Sequence, residues 1–392
     1  MFSNYTYYLY LLLVVVLYRF APARYRPHLL ALSGLGFYIF HAGTATILLV
    51  ALTAVTWVIL FWGVAPSASG PSPIQKWRPY LAIVLPALAL GVFKYSRLFV
   101  GTIGLPTASL PTPPLAISFF VFEFIHVAAE VAKGTVAYIS PVQYSSFVGF
   151  FPTMIAGPIK RYSQFQSYFE APSADARDIL EGVFRILLGL LKKLVLADNL
   201  KTLIDEVGNP KTVHNVGLLT FGIFLYGLRI WLDFAGYSDI AIGSARLFGI
   251  RVPENFLHPY LQRNITDFWR HWHISLSSWL MDYVYIPLGG SRRGLPRQLV
   301  NIMIVMAVSG LWHGAAWNFV LWGIWHGIML CVHKLFSTYV YPRLPKSLEK
   351  SRSMAALSWL VTMFAVWFGW MLFMWPLPDV ATFFSLAFRG HA

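Results

Sequence analysis

Apolar runs, most of them about twenty residues long, recur along almost the whole chain, and a run of that length can cross about 30 Å of hydrocarbon as a helix. They fall near Tyr5–Tyr18, Leu29–His41, Thr44–Val64, Tyr80–Val100, Pro114–Val131, Phe147–Ala156, Ile179–Ala197, Leu218–Gly243, Val300–Leu311, Ala316–Leu335 and Ala355–Trp375. Inside lipid every backbone N–H and C=O must be bonded within the protein, which makes such spans helical. The pattern predicts an all-α, polytopic membrane protein with about 10–12 membrane helices. The runs ending at His41 and Ala156 are too short to cross alone and are expected to be re-entrant, buried by protein.

Composition agrees with this solvent: 57% of the 392 residues are hydrophobic and 12% are charged, against roughly 25% charged in soluble domains. A net charge of +14 could indicate a nucleic-acid partner, but the basic residues collect in short loops. These are Arg19/Arg24/Arg26, Lys76/Arg78, Lys160/Arg161, Arg292/Arg293/Arg297 and Arg343/Lys346/Lys350/Arg352. That is a positive-inside distribution, with membrane lipid and not nucleic acid as the surroundings, and it puts the N-terminus outside. Lys94 and Arg97 sit in or beside a span and must snorkel. No positive n-region precedes the first apolar run, so cleavage near Ala21-Pro22-Ala23 is not expected. The single cysteine, Cys331, removes disulfide frameworks and cysteine zinc sites. It reads as a buried span residue, with a covalent thioester relay as a lesser alternative.

Polar punctuation is sparse. Residues 64–79 and 101–114 are Pro/Gly/Ser-rich loops, and RYSQFQSYFE, after Lys160, reads as an amphipathic segment at the interface. From Val252 to Gly290 the hydropathy fails, and this interval is expected to form short helices packed in protein near the cytoplasmic boundary. On one helix Asp267 would meet Arg270 and His271, while Trp269, His273 and Ser277 would form a second row. Asp267 with Arg270 is expected to be structural, and His273 is free to meet a ligand.

SGLWHGAAWNF (309–319) holds His313 between Trp312 and Gly314 with no formal charge nearby. Gly310 and Gly314, and later Gly323 and Gly327, have the four-residue spacing that lets helices approach closely. On an unbroken helix His326 would lie nearly opposite His313, so the two are not a metal pair, and no metal site is expected. A histidine at lipid depth is costly and marks a pathway or reaction centre by default. Desolvation keeps its ring neutral and able to take a proton from an attacking hydroxyl. The alternative is a histidine that only bridges helices.

Other chemistries lack their motifs: there is no Gly-x-Ser-x-Gly elbow, no phosphate-cradling glycine loop and no His-Glu-x-x-His pair. Asp233 and Asp239 in WLDFAGYSDIAIG are buried acids six residues apart. They make a proton-coupled transporter a competing class, with local hydrogen bonding as the simpler account. No internal repeat supports an inverted-repeat transporter.

Five segments in order, ISFFVFEFIHVAAEVAKG, FFPTMIAGPIKRYSQF, WLDFAGYSDIAIG, NFLHPYLQRNITDFWRHWHISLSSWLMDYVYIPLGG and SGLWHGAAWNFVLWGIWHG, resemble the membrane-bound O-acyltransferases, most closely their bacterial alginate O-acetyltransferase branch. The likeness covers about residues 115–335 within a single integral-membrane domain spanning 1–392. It implies helices around a central tunnel, with His313 catalytic and His273 the second signature histidine on the tunnel's cytoplasmic side. His271 stands where relatives often carry arginine, and no role passes to it. Trp312, Trp317, Asn318, Trp269, Ser277 and Tyr260 are taken as substrate-binding side chains around the two histidines.

The resemblance further implies an acyltransferase of the bacterial inner membrane that needs no cofactor. It draws acetyl from a cytoplasmic donor, with acetyl-CoA expected, and delivers it to an exported polysaccharide, usually through a periplasmic or surface esterase-like partner. D-alanyl transfer to teichoic acid from a carrier protein is the second enzyme reading. Relatives of this branch commonly continue through further spans after the helix matching Ala355–Trp375, whereas this chain ends at Ala392. Partner docking and span count are therefore where it is expected to differ.

Overall fold

The computed structural model describes residues 4–64, 76–170, 174–349 and 351–389. Residues 65–75 of the expected loop, Lys350 of the last basic loop and the end of the chain from 390 lie outside the described residues. Among the described residues the secondary structure is helical, with no strand and one isolated bridge, Phe256 to Trp272.

In chain order the helices are α1 (Tyr5–Phe20), α2 (Arg26–Ala42), α3 (Thr46–Phe61), α4 (Arg78–Leu90), α5 (Ser96–Thr102), α6 (Ile117–Lys133), α7 (Pro141–Val148), α8 (Tyr162–Glu170) and α9 (Ala176–Leu190). They continue as α10 (Asp198–Val207), α11 (Val216–Leu247), α12 (Ile265–His271), α13 (Ile274–Leu280), α14 (Leu295–His313), α15 (Trp317–Leu335), α16 (Lys346–Glu349), α17 (Arg352–Met374) and α18 (Leu377–Arg389). Among the described residues six helical stretches are long and apolar enough to cross a membrane: Ala23–Phe61, Arg78–Thr102, Val216–Leu247, Leu295–His313, Trp317–Arg343 and Arg352–Met374. The chain is an all-α, multi-pass membrane protein, as the apolar runs predict. Other expected spans form shorter helices, 16 residues in α1 and 17 in α6. The runs at Leu29–His41 and Thr44–Val64 form one helical stretch, interrupted at Gly43, where φ is 54°.

The described residues divide into two compact units. The first comprises residues up to Leu190 together with Tyr237–Pro253. Tyr7, Leu11, Val14 and Tyr18 recur at helical spacing along α1 and are buried. They meet an aromatic core that includes Phe37, Phe150, Phe151 and Phe248. Glu123 of α6 and Lys160 form a buried ion pair, with the ammonium 4.8 Å from the Phe147 ring centroid. The Tyr162 backbone N–H donates to His126 Nε2 at 2.8 Å, which ties the start of α8 to α6. Lys94, in or beside a span by the sequence, donates to Ser118 Oγ at 3.0 Å.

The second unit comprises Leu191–Gly236 and Glu254–Ala392. Its core is built from indoles and phenyl rings, among them Phe268, Trp269, Trp272, Trp322 and Trp370. Helices α14 and α15 form an antiparallel hairpin closed by backbone contact. A Cβ on Gly310 would stand 2.3 Å from the Phe319 carbonyl oxygen, and one on Gly323 would stand 2.2 Å from that of Met306. The four-residue glycine spacing in the sequence is thus used for close helix approach. Cys331 is half-buried on α15, its Sγ 3.6 Å from the Leu299 carbonyl oxygen.

This contact leaves no room for a side chain. Gly323→Val is expected to destabilise the protein by about 3 kcal/mol or more through overpacking, measured as a lower thermal midpoint in detergent. Gly91→Ala, where an added Cβ meets nothing within 4 Å on a helical backbone, is expected to melt with the parent to within about 0.5 kcal/mol.

Candidate active site

The polar interval that broke the hydropathy folds as two seven-residue helices, α12 and α13, separated at Trp272 and His273. Asp267 and Arg270 pair at 3.1 Å, as their spacing predicts, and His271 Nδ1 lies 2.7 Å from the Asp267 carbonyl oxygen. The expected row of Trp269, His273 and Ser277 does not share one helix. The break arises because residues 255–257 pair with this segment. The Leu257 N–H donates to His271 O at 3.1 Å, and the Ile274 N–H donates to Asn255 O at 3.0 Å. His273 is left in the left-handed region at φ 44°.

His273 is fully buried. Its Nδ1 lies 3.3 Å from Asn255 Oδ1, which also accepts from Ser275 Oγ at 2.6 Å and from the Ser275 backbone N–H at 3.3 Å. The backbone N–H can only donate, so the Asn255 atom is the carbonyl oxygen and His273 Nδ1 carries its proton. The Nε2 lone pair points the other way and has no hydrogen-bond partner among the described residues. Burial, and then the neighbouring His313, hold this imidazole well below the ordinary histidine range.

His313 is the last residue of α14, half-buried, ahead of the extended Gly314 that starts the turn into α15. Its ring is walled edge-on by Trp312 at 4.8 Å, Trp322 at 4.9 Å and Phe373 at 5.1 Å. Trp312 also touches His273, at 5.6 Å, and Phe234 of α11 closes on His273 at 4.6 Å. One indole therefore lies against both histidines. His326 does not fall on an unbroken helix with His313; it sits deeper on α15, fully buried, and meets the other edge of the same region through Trp322 at 5.0 Å and Trp269 at 5.2 Å.

Beside this aromatic layer lies a cavity of about 760 Å³. Arg270, His333 and Lys334 line it together with Ile302, Val305 and Met306, and Trp269, Ser277 and Ser309 are also in its wall. Arg270 is exposed, paired with Asp267 of the same wall, and Ser309 is fully buried, so Arg270 marks the outer end. Trp269 Nε1, Trp322 Nε1, Ser309 Oγ and both nitrogens of His326 are buried without hydrogen-bond partners among the described residues. These atoms lie in the inner wall of the cavity and the layer behind it, while others, Trp231 Nε1 and Asn301 Oδ1 among them, lie outside the cavity lining.

Of the sequence-predicted binding residues, Trp269 and Ser277 line the cavity and Trp312 lies between the histidines. Tyr260 donates to the Gly227 carbonyl oxygen at 2.5 Å and packs among Trp231, Trp272 and Trp367. Asn318 Nδ2 donates to Leu372 O at 3.3 Å, and Trp317 is exposed. Asn255, Trp322 and Phe373 were not singled out by sequence reasoning. The signal for Asn255 was a buried-type amide in an interval too aromatic for a loop, but its partner is 18 residues away.

The model of the membrane-bound O-acyltransferase family matches residues 35–375. The chain belongs to this family. It is 35% identical over 395 aligned residues to the protein named probable alginate O-acetylase AlgI of Azotobacter vinelandii, covering 97% of this chain and 76% of that protein. It is 32% identical to the peptidoglycan O-acetyltransferase of Helicobacter pylori, covering 77% of this chain and 63% of that one. To the teichoic acid D-alanyltransferase of Streptococcus thermophilus it is 31% identical, over 72% and 69%. The chain is accordingly an O-acyltransferase of the membrane.

In this acyltransferase the two acids that suggested transport are ion-paired. Asp239 meets Arg185 at 2.8 Å within the first unit, and Asp233 meets Lys193 at 2.6 Å within the second. Asp239 is nearly buried, its side chain 6% exposed. Asp239→Asn should remove the negative charge from beside Arg185 and cost about 2 kcal/mol, seen as a lower melting point. Adding Arg185→Gln should recover much of that loss.

Proposed function

We propose that this protein takes an acetyl group from acetyl-CoA on the cytoplasmic side of the inner membrane and passes it outward to the hydroxyls of an exported polysaccharide. The observation that carries the reading is the cavity lined by Arg270 and Lys334, with the histidine-bearing aromatic layer behind its inner wall. Arg270 and Lys334 suit the phosphates of the donor, and the apolar stretch of Ile302, Val305 and Met306 suits a pantetheine arm. Related proteins are named for alginate, peptidoglycan and teichoic acid, which share a hydroxyl as acceptor.

In this mechanism His313 takes the proton of the acceptor hydroxyl as its oxygen attacks the thioester carbonyl carbon. The C–S bond breaks, and the thiolate leaves and is protonated to the free thiol. The indole and phenyl walls around His313 exclude water, so transfer to the alcohol outcompetes hydrolysis. A periplasmic or surface esterase-like protein receives the acetyl group or completes its delivery.

Two measurements check this. Sealed right-side-out vesicles from the source cells, loaded with radiolabelled acetyl-CoA, should place labelled ester outside. His313→Ala, verified as inserted and folded, should lower that transfer by about 10²–10⁴-fold; wild-type transfer in the variant would overturn the assignment. Arg270→Ala with Lys334→Ala should raise the donor KM several-fold and leave kcat near the parent value. If a phosphopantetheinyl carrier protein supported turnover and acetyl-CoA did not, the donor would be the carrier.

A further inference from the structure

His273 owes its orientation to one side chain. Asn255 Oδ1 receives the His273 Nδ1 proton, and the same oxygen is braced by the hydroxyl and backbone N–H of Ser275, while the Asn255 carbonyl oxygen holds the Ile274 N–H. Asn255 is itself fully buried. These contacts fix the position of the amide and, through it, the rotation and tautomer of a ring on a left-handed backbone.

We propose that Asn255 is a positioning residue: it locks His273 with the proton on Nδ1, so that Nε2 meets the substrates only as a hydrogen-bond acceptor. The inference rests on the reading that His273 stands at the reaction centre. With Nε2 buried and unpartnered among the described residues, a donor must come from a substrate: the attacking hydroxyl, or an amide N–H of the pantetheine arm. Protonation of His273 would turn Nε2 into a donor and abolish the contact, so activity requires the neutral ring. His313 at the end of α14 is the titratable neighbour whose field reaches His273. The rings packed on His273, Phe234 from α11 and Trp312 from α14, carry no titratable group. Glu254 and His271 lie on the paired segments beside Asn255 and Trp272.

The sign follows from the partner's charge. Asn255→Asp keeps an oxygen for Ser275 and His273 and adds a negative charge beside Nδ1, which favours the imidazolium. The acid limb of acetyl-CoA turnover in the vesicle assay should move up by about one pH unit or more, with the donor KM unchanged at high pH. Asn255→Leu should lower kcat at every pH while leaving the donor KM in place, and Asn255→Gln should fall between it and the parent. An acid limb unmoved in Asn255→Asp, in protein that melts like the parent, would overturn the positioning role. His273→Gln separates the two layers of the argument. Wild-type turnover in that variant would remove His273 from the reaction, whereas loss of turnover beside an unmoved Asn255→Asp profile would remove only Asn255.

Discussion

A backbone amide that leaves a helix inside hydrocarbon must find another partner or cost several kcal/mol. That constraint explains why the described chain is helix almost throughout, and it gives weight to the few places where it is not. Within the second unit the helical ladder breaks at Trp272–His273 and again at Gly314–Ala316. The first break is satisfied by residues 255–257, which supply a donor to His271 O and an acceptor to Ile274 N–H. The second is the turn of a glycine-closed hairpin. A histidine stands at each: His273 at one, His313 at the other. The helix ends are therefore where the fold can place imidazoles that an unbroken span would point at lipid or at a neighbouring helix.

The aromatic layer answers a second requirement. Acyl transfer to an alcohol fails if water reaches the activated acyl group first, and a low-dielectric wall also strengthens any polar contact made inside it. Indoles meet both needs, because each offers a large apolar face and one N–H. Trp312 spans His273 and His313, Trp322 spans His313 and His326, and Trp269 stands between Trp322, His326 and the cavity. The unpartnered indole N–H groups of Trp269 and Trp322 would be a defect in a purely structural core. Trp269 stands in the cavity wall, where its N–H can meet a bound molecule.

Much of this was legible because it is local. Apolar length gave the helices, glycine spacing gave the closeness of α14 and α15, and the Asp267–Arg270 pair followed from three-residue spacing. The cost of an imidazole among apolar residues singled out His313, but left a helix-bridging role open, and its catalytic role is implied by the family resemblance alone. What escaped was what the fold joins from afar: Lys160 with Glu123, Arg185 with Asp239, and Asn255 with His273. Helical periodicity ties a residue to neighbours three or four away and says nothing of a partner 18 or more away. The single row drawn through Trp269, His273 and Ser277 failed for the same reason, since the pairing that breaks the helix comes from outside it.

The choice of an amide to orient His273 has its own logic. A carboxylate at Asn255 would hold the ring as firmly, but in a buried site it would carry a desolvation cost that only an imidazolium could offset. The pair would then settle as an ion pair with both ring nitrogens protonated, and Nε2 would be lost as an acceptor. A neutral amide gives orientation without stabilising the charged ring, and burial together with the nearby His313 pushes in the same direction. The site thus fixes a tautomer while keeping the imidazole uncharged, which is the state Nε2 must occupy to accept a hydrogen bond.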